Sequence, residues 1–148
     1  MDRSVASERD VADEYLSQII DDETRSLMWD SAESILSYGP VVEPAVDSAI
    51  GLALGYVQSG KTSSMVALQA LAADQGYRII VAFLGNTNLL LDQNQARICE
   101  ALGIDWRTDY KWIVEQNPKG RSGGESFREW LARDRTIFVP VIKNAKRI

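Results

Sequence analysis

The octapeptide GYVQSGKT, residues 55–62, matches the pattern GxxxxGK[ST] at each of its fixed positions, Gly55, Gly60, Lys61 and Thr62. A backbone that wraps around a polyphosphate has to turn several N–H groups inward, and glycine permits the dihedrals and the close approach this needs. Tyr56, Val57, Gln58 and Ser59 would line such a loop, with Lys61 reaching the terminal phosphates and Thr62 offering its hydroxyl to Mg²⁺. A helix opening near Gly60 would aim its positive end at the same anion. The competing reading is a glycine turn that merely fits the pattern, and the flanks decide against it. Residues 49–54 (AIGLAL) form a short apolar run of the kind a strand buried on both faces shows. Residues 63–74 (SSMVALQALAAD) predict a helix with Met65, Leu68, Leu71 and Ala72 inward and Gly76 as its stop.

The rest of the composition narrows the chemistry. The chain has 148 residues, no histidine and one cysteine, Cys99. Catalytic triads, Cys/His pairs, histidine metal sites and intrachain disulfides are therefore excluded. What remains is lysine, carboxylate, hydroxyl, amide or bound metal, a set that suits nucleotide chemistry. The apolar runs fall short of the roughly 20 residues a membrane span requires, and the first residues lack the order of a signal peptide, so a cytoplasmic protein is expected, without membrane contact. The formal charge of −5 is unevenly spread: residues 1–50 hold 12 acidic and 3 basic side chains, residues 51–148 hold 9 and 13. A basic core behind an acidic lead-in is compatible with nucleic acid, although a mixed solvated surface is the more common explanation of such counts.

In chain order, residues 5–21 read as an amphipathic helix with Val5, Val11, Tyr15 and Ile19 along one side. A second helix over 23–37 would bury Leu27, Met28, Ala32, Ile35 and Leu36, and Trp29 or Tyr38 is a candidate wall for a nucleotide base. This acidic helical accessory segment, 1–48, ends in a stiff connector at 40–44 (PVVEP). The remainder, 49–148, reads as a partial P-loop α/β domain. Residues 77–84 (YRIIVAFL) predict a second buried strand, and strand-helix-strand order implies a parallel sheet. A polar turn, Gly85-Asn86-Thr87-Asn88, stands where such sheets bind ligands, at the strand's carboxyl end, and a helix follows over 89–102. The same turn residues are equally at home as ordinary turn and N-cap residues. Trp106, Lys111, Trp112, Lys119 and Arg121 interleave aromatics with cations, which suits either base stacking or tryptophans covering a sheet edge. A short strand is expected within 110–115, loop chemistry at 117–124, a helix over 125–133 with Phe127, Trp130 and Leu131 inward, and a third strand over 135–142. Pro140 argues for an edge or bulge position in that strand.

The run GYVQSGKTSSMVALQALAADQGYRIIVAFLGNTNLLLDQNQARI resembles the first RecA-like motor domain of superfamily 2 DEAD/DEAH-type helicases. It is most similar to bacterial defence-associated (phage defence) helicases and to the ATPase part of putative endonucleases with a VQSGKT loop. The similarity covers about residues 50 to 100. It implies ATP and Mg²⁺ as ligands and a nucleic-acid partner, DNA rather than RNA. By the same resemblance Gly85, Asn86, Thr87 and Asn88, with Gln93 and Arg97 on the following helix, would touch the nucleic-acid backbone, as would Lys143 and Asn144 after the third strand. Small and amide residues suit this role because they donate to phosphate and sugar without reading bases.

The chain departs from that family in one respect. The resembling helicases carry, just beyond this point, a strand ending in Asp-Glu and then a second RecA-like domain with an arginine finger, and neither lies within these 148 residues. The expectation is therefore an N-terminal part of an ATP-dependent helicase or translocase that binds nucleotide better than it hydrolyses it, completed by the remainder of a helicase or by a nuclease subunit. The alternatives are a non-catalytic nucleotide or nucleic-acid binding module and, less favoured for want of an arginine-rich lid, a small P-loop kinase.

Overall fold

The computed structural model describes residues 6–39, 60–118 and 122–143, the backbone alone for 122–125. The expected strand at 49–54 and the connector at 40–44 lie outside the described residues. Within them the chain is mixed α/β, with five helices and a three-stranded parallel sheet, and divides into two compact units, Met1–Gly76 and Tyr77–Ile148.

The first unit holds α1 (Glu8–Leu16), α2 (Asp22–Ser37) and α3 (Lys61–Asp74). α1 begins at Glu8, not at Val5, because Ser7 and Asp10 form a reciprocal capping box: the Ser7 hydroxyl accepts the Asp10 N–H at 3.1 Å and the Asp10 carboxylate accepts the Ser7 N–H at 3.3 Å. The buried stripe of α1 is Glu8, Ala12 and Leu16, whereas Val11 and Tyr15 are half-buried and Ile19 is exposed. α1 and α2 both pack on α3, whose Ala67, Ala70, Ala72 and Ala73 are buried, and small side chains favour close helix approach at Ala12 over the bulkier stripe that periodicity suggested. The carboxylate of Asp74, at the end of α3, accepts the first N–H groups of α1, from Glu8 and from Arg9, both at 2.9 Å. It thereby supplies negative charge where the helix dipole favours it.

α2 is likewise turned from its expected face. Leu27 and Ile35 are exposed, Met28 and Leu36 half-buried, and Trp29 joins Ala32 in the core at 4% exposure. The reason is a polar hub. Asp13 accepts the Trp29 indole N–H at 2.7 Å and the Arg25 Nε at 2.9 Å, while the Arg9 guanidinium, ion-paired with Glu33, lies 5.1 Å from the Trp29 ring centre. Trp29 is therefore committed to helix packing. Removing the acceptor leaves a buried N–H unpaired, so Asp13→Ala is expected to lower stability by about 1–3 kcal/mol. Asp13→Asn, which keeps one acceptor oxygen, should lose less; thermal unfolding of the two variants checks the difference. At the start of α2, Asp21 accepts the Thr24 N–H at 2.9 Å, and that bond holds its carboxyl below the usual value.

The second unit is the sheet. β1 (Ile79–Phe83), β2 (Trp112–Val114) and β3 (Thr136–Val141) lie in the order β1-β3-β2, all parallel, with α4 (Asn88–Ala101) between β1 and β2 and α5 (Ser122–Ala132) between β2 and β3. The chain steps across the sheet one way from β1 to β2 and the other way from β2 to β3. Right-handed crossovers then place α4 and α5 on opposite faces. Register sets Ile79, Val81 and Phe83 beside Ile137, Val139 and Val141. Ile79, Val81, Phe83, Val139 and Val141, together with Phe127 of α5, line an open apolar pocket of about 520 Å³. β1 is thus not the doubly buried strand its composition suggested: Ile79, Val81 and Phe83 are 45%, 52% and 51% exposed, while Ala82 and, just past the strand, Leu84 are buried.

β3 is the central strand, not an edge, and Pro140 sits in it fully buried. The hydrogen-bond alternation explains how. Thr136 donates to Lys111 on the β2 side and Ile137 to Arg78 on the β1 side, so residue 140 would point a donor toward Glu115, past the end of β2. Proline therefore forfeits a single donor, toward a residue beyond the three of β2, while its carbonyl still accepts the Asn117 N–H. Ser122, Gly123 and Gly124, expected in a loop, open α5 instead, and Trp112, the first residue of β2, is buried whereas Trp106 is exposed. Cys99 on α4 is buried, and burial, with Asp105 nearby, pushes its thiol up to about 12. The native protein should resist alkylation at pH 8 and react quickly once unfolded in denaturant, as thiol titration will read.

Candidate functional site

Gly60 precedes α3 in the left-handed region, φ 73° and ψ 24°. Open space surrounds the position where a Cβ would stand, so the demand for glycine here is conformational rather than steric. The contrast with the neighbouring helices is informative. α1 and α2 start on a capping side chain, Ser7 or Asp21, and carry acids in their first turns. α3 starts on a glycine with no side chain to cap it, has no acid in its first turn, and places a cation at its first position. Lys61 is exposed and Thr62 half-buried. A cation at a helix N-terminus opposes the dipole, and four N–H groups there lack intrahelical partners. An anion at this point would satisfy both. Gly55, Tyr56, Val57, Gln58 and Ser59 lie outside the described residues.

In the second unit the carboxyl ends of the three strands form a cross-tied edge. The Lys143 N–H donates to the Gly85 carbonyl at 2.8 Å, which sets Lys143 beside the turn Gly85-Asn86-Thr87-Asn88. Gly85 takes φ 82°. The Thr87 hydroxyl accepts the Leu90 N–H at 3.2 Å and so serves as the N-cap of α4, while Asn86 and Asn88 are exposed. Gln93 and Arg97 are exposed on α4, away from its buried Leu91 and Ile98. Arg97 stands nine residues beyond Asn88, about 14 Å along the helix axis, so the fold does not bring it to the turn. Asn144 lies outside the described residues. The edge also holds a residue that sequence reasoning placed only in a turn: Asn117, at φ 46°, whose N–H donates to the Pro140 carbonyl at 3.0 Å and whose side-chain carbonyl accepts the Ile142 N–H at 3.1 Å. An Asn-Pro pair signals a turn but not this bridge. The edge thus offers an exposed cation, exposed amides and a helix N-terminus, all suited to a phosphate backbone.

No protein-family model, no curated protein and no solved structure matches this chain. Among the described residues no helix is long and apolar enough to cross a membrane.

Proposed function

We propose that this chain is the ATP-binding N-terminal part of an ATP-dependent nucleic-acid helicase or translocase, built on a P-loop RecA-like domain and acting in the cytoplasm. The observation that carries the reading is the start of α3, where left-handed Gly60, Lys61 and Thr62 occupy the last three fixed positions of GxxxxGK[ST] and break the capping rules the neighbouring helices obey. ATP and Mg²⁺ are the ligands this chemistry takes. The carboxyl edge around Gly85 and Lys143 supports a nucleic-acid partner held through its backbone, and the family that the sequence resembles favours DNA over RNA. The defence-associated helicases that the sequence resembles suggest a role in phage defence beside the remainder of a helicase or a nuclease subunit.

The test is ATP binding and turnover by the 148-residue chain, with and without single-stranded DNA. Binding with DNA-stimulated turnover supports a motor. ATP binding with no turnover under either condition fits a motor part whose hydrolysis needs elements these residues do not supply when single-stranded DNA binding responds to ATP, and a non-catalytic binding module when it does not; phosphoryl transfer to a small acceptor supports a kinase. Absence of ATP binding sinks the reading.

A further inference from the structure

β2 ends at Val114, yet the ladder it shares with β3 continues in one direction: Glu115 donates to the Phe138 carbonyl and Asn117 to the Pro140 carbonyl. The reverse direction is interrupted. Donors on β3 that face β2 recur at every second residue, starting from Thr136 onto Lys111. Pro140 has no N–H to contribute, which makes Ile142 the next donor in the series, and its natural acceptor would be the backbone carbonyl of residue 117. At φ 46° that backbone has turned away from the strand direction. The Asn117 side-chain carbonyl takes the Ile142 N–H instead. It stands in the place an extended β2 would have filled, directly before Lys143, whose N–H reaches Gly85 on the other flank of β3.

We propose that Asn117 is a positioning residue for the nucleic-acid edge: its side-chain carbonyl stands in for the backbone acceptor that residue 117 does not present to Ile142, and so fixes the end of β3, holding Lys143 beside the Gly85–Asn88 turn. This rests on the reading of that edge given above. Asparagine meets both demands of the position, since it tolerates the left-handed region better than most residues and carries an acceptor on a short arm. Aspartate shares both properties. Glycine keeps the backbone conformation and the N–H to Pro140 but has no acceptor.

The experiment compares wild type, Asn117→Gly and Asn117→Asp, each confirmed folded by circular dichroism, using amide hydrogen exchange and the affinity for a fluorescein-labelled oligo(dT) strand. Asn117→Gly is expected to speed exchange at Ile142 and Lys143 by about tenfold relative to Ile137 in the strand's interior. It should also weaken oligo(dT) binding by about threefold to tenfold. Asn117→Asp should restore slow exchange and bind more tightly than Asn117→Gly despite its added negative charge, the reverse of what charge alone would give. Fast exchange with unchanged affinity removes the positioning role and leaves the interface standing. Unchanged exchange in Asn117→Gly refutes the ladder replacement itself. If wild type does not bind oligo(dT), the interface reading fails and the positioning role falls with it.

Discussion

Lys61→Ala is expected to weaken ATP binding by about tenfold to a hundredfold, the range that loss of a charge-assisted phosphate contact spans. The free protein should lose no stability at all. Lys61 is exposed and caps nothing, and at the first position of α3 its charge opposes the helix dipole. Alanine there is the better helix former, so the melting temperature of the unliganded variant should equal or slightly exceed that of the wild type. Thermal melts with and without MgATP read both consequences at once: a ligand-dependent rise in the wild type, and a smaller rise from an equally stable variant. Lys61→Arg should recover part of the affinity at most, because a planar guanidinium cannot reproduce a compact ammonium inside a tight loop. A variant that still binds ATP like the wild type would show that the left-handed turn and the misplaced cation serve something other than a phosphate.

Where local chemistry acts alone, the residue order was a sufficient guide. Gly60 and Gly76 bracket α3, and Gly103 follows α4, each with positive φ, because a helix terminus is decided by a few backbone dihedrals that only certain side chains tolerate. Thr87 as a cap belongs to the same class. The misses have another origin. Which stripe of α1 is buried depends on α3, a helix more than forty positions away, and on Ser7 shifting the helix start; periodicity weighed Val11 and Tyr15 above Ala12 because it measures hydrophobicity and not fit. A rule about lost donors puts Pro140 at an edge or a bulge, yet the central position of β3 is compatible with it because the one donor it forfeits would point past the three residues of β2. No inspection of residues 135–142 alone could reveal the length of a neighbouring strand. The candidate site divides the same way. The start of α3 is legible as a motif, whereas the link between Lys143 and Gly85, nearly sixty residues apart, exists only through the sheet register.

Gly85→Ala is expected to lower stability by about 3 kcal/mol and to damage the carboxyl edge as well. Two separate penalties apply. At φ 82° a side chain adopts a conformation that L residues avoid, at about 1–2 kcal/mol. The added Cβ would also stand 2.6 Å from the Leu90 Cβ, nearer than two such atoms can approach, and relieving that overlap costs about 1–3 kcal/mol. The atom it meets is a Cβ, not the end of a flexible chain. Leu90→Ala should therefore rescue nothing, whereas Leu90→Gly in the Gly85→Ala background should recover the steric part and leave the conformational part, less the roughly 1 kcal/mol that glycine costs a helix. Urea unfolding of the single and double variants separates the two contributions as a coupling energy. The functional consequence follows from the same geometry. Any shift that relieves the overlap moves the Gly85 carbonyl away from the Lys143 N–H and tilts the first turn of α4, so oligo(dT) affinity should fall in Gly85→Ala and return, at least in part, in the double variant. If the single variant is as stable as the wild type, the turn does not hold Gly85 against Leu90 in solution, and the register that brings Lys143 to it loses its anchor.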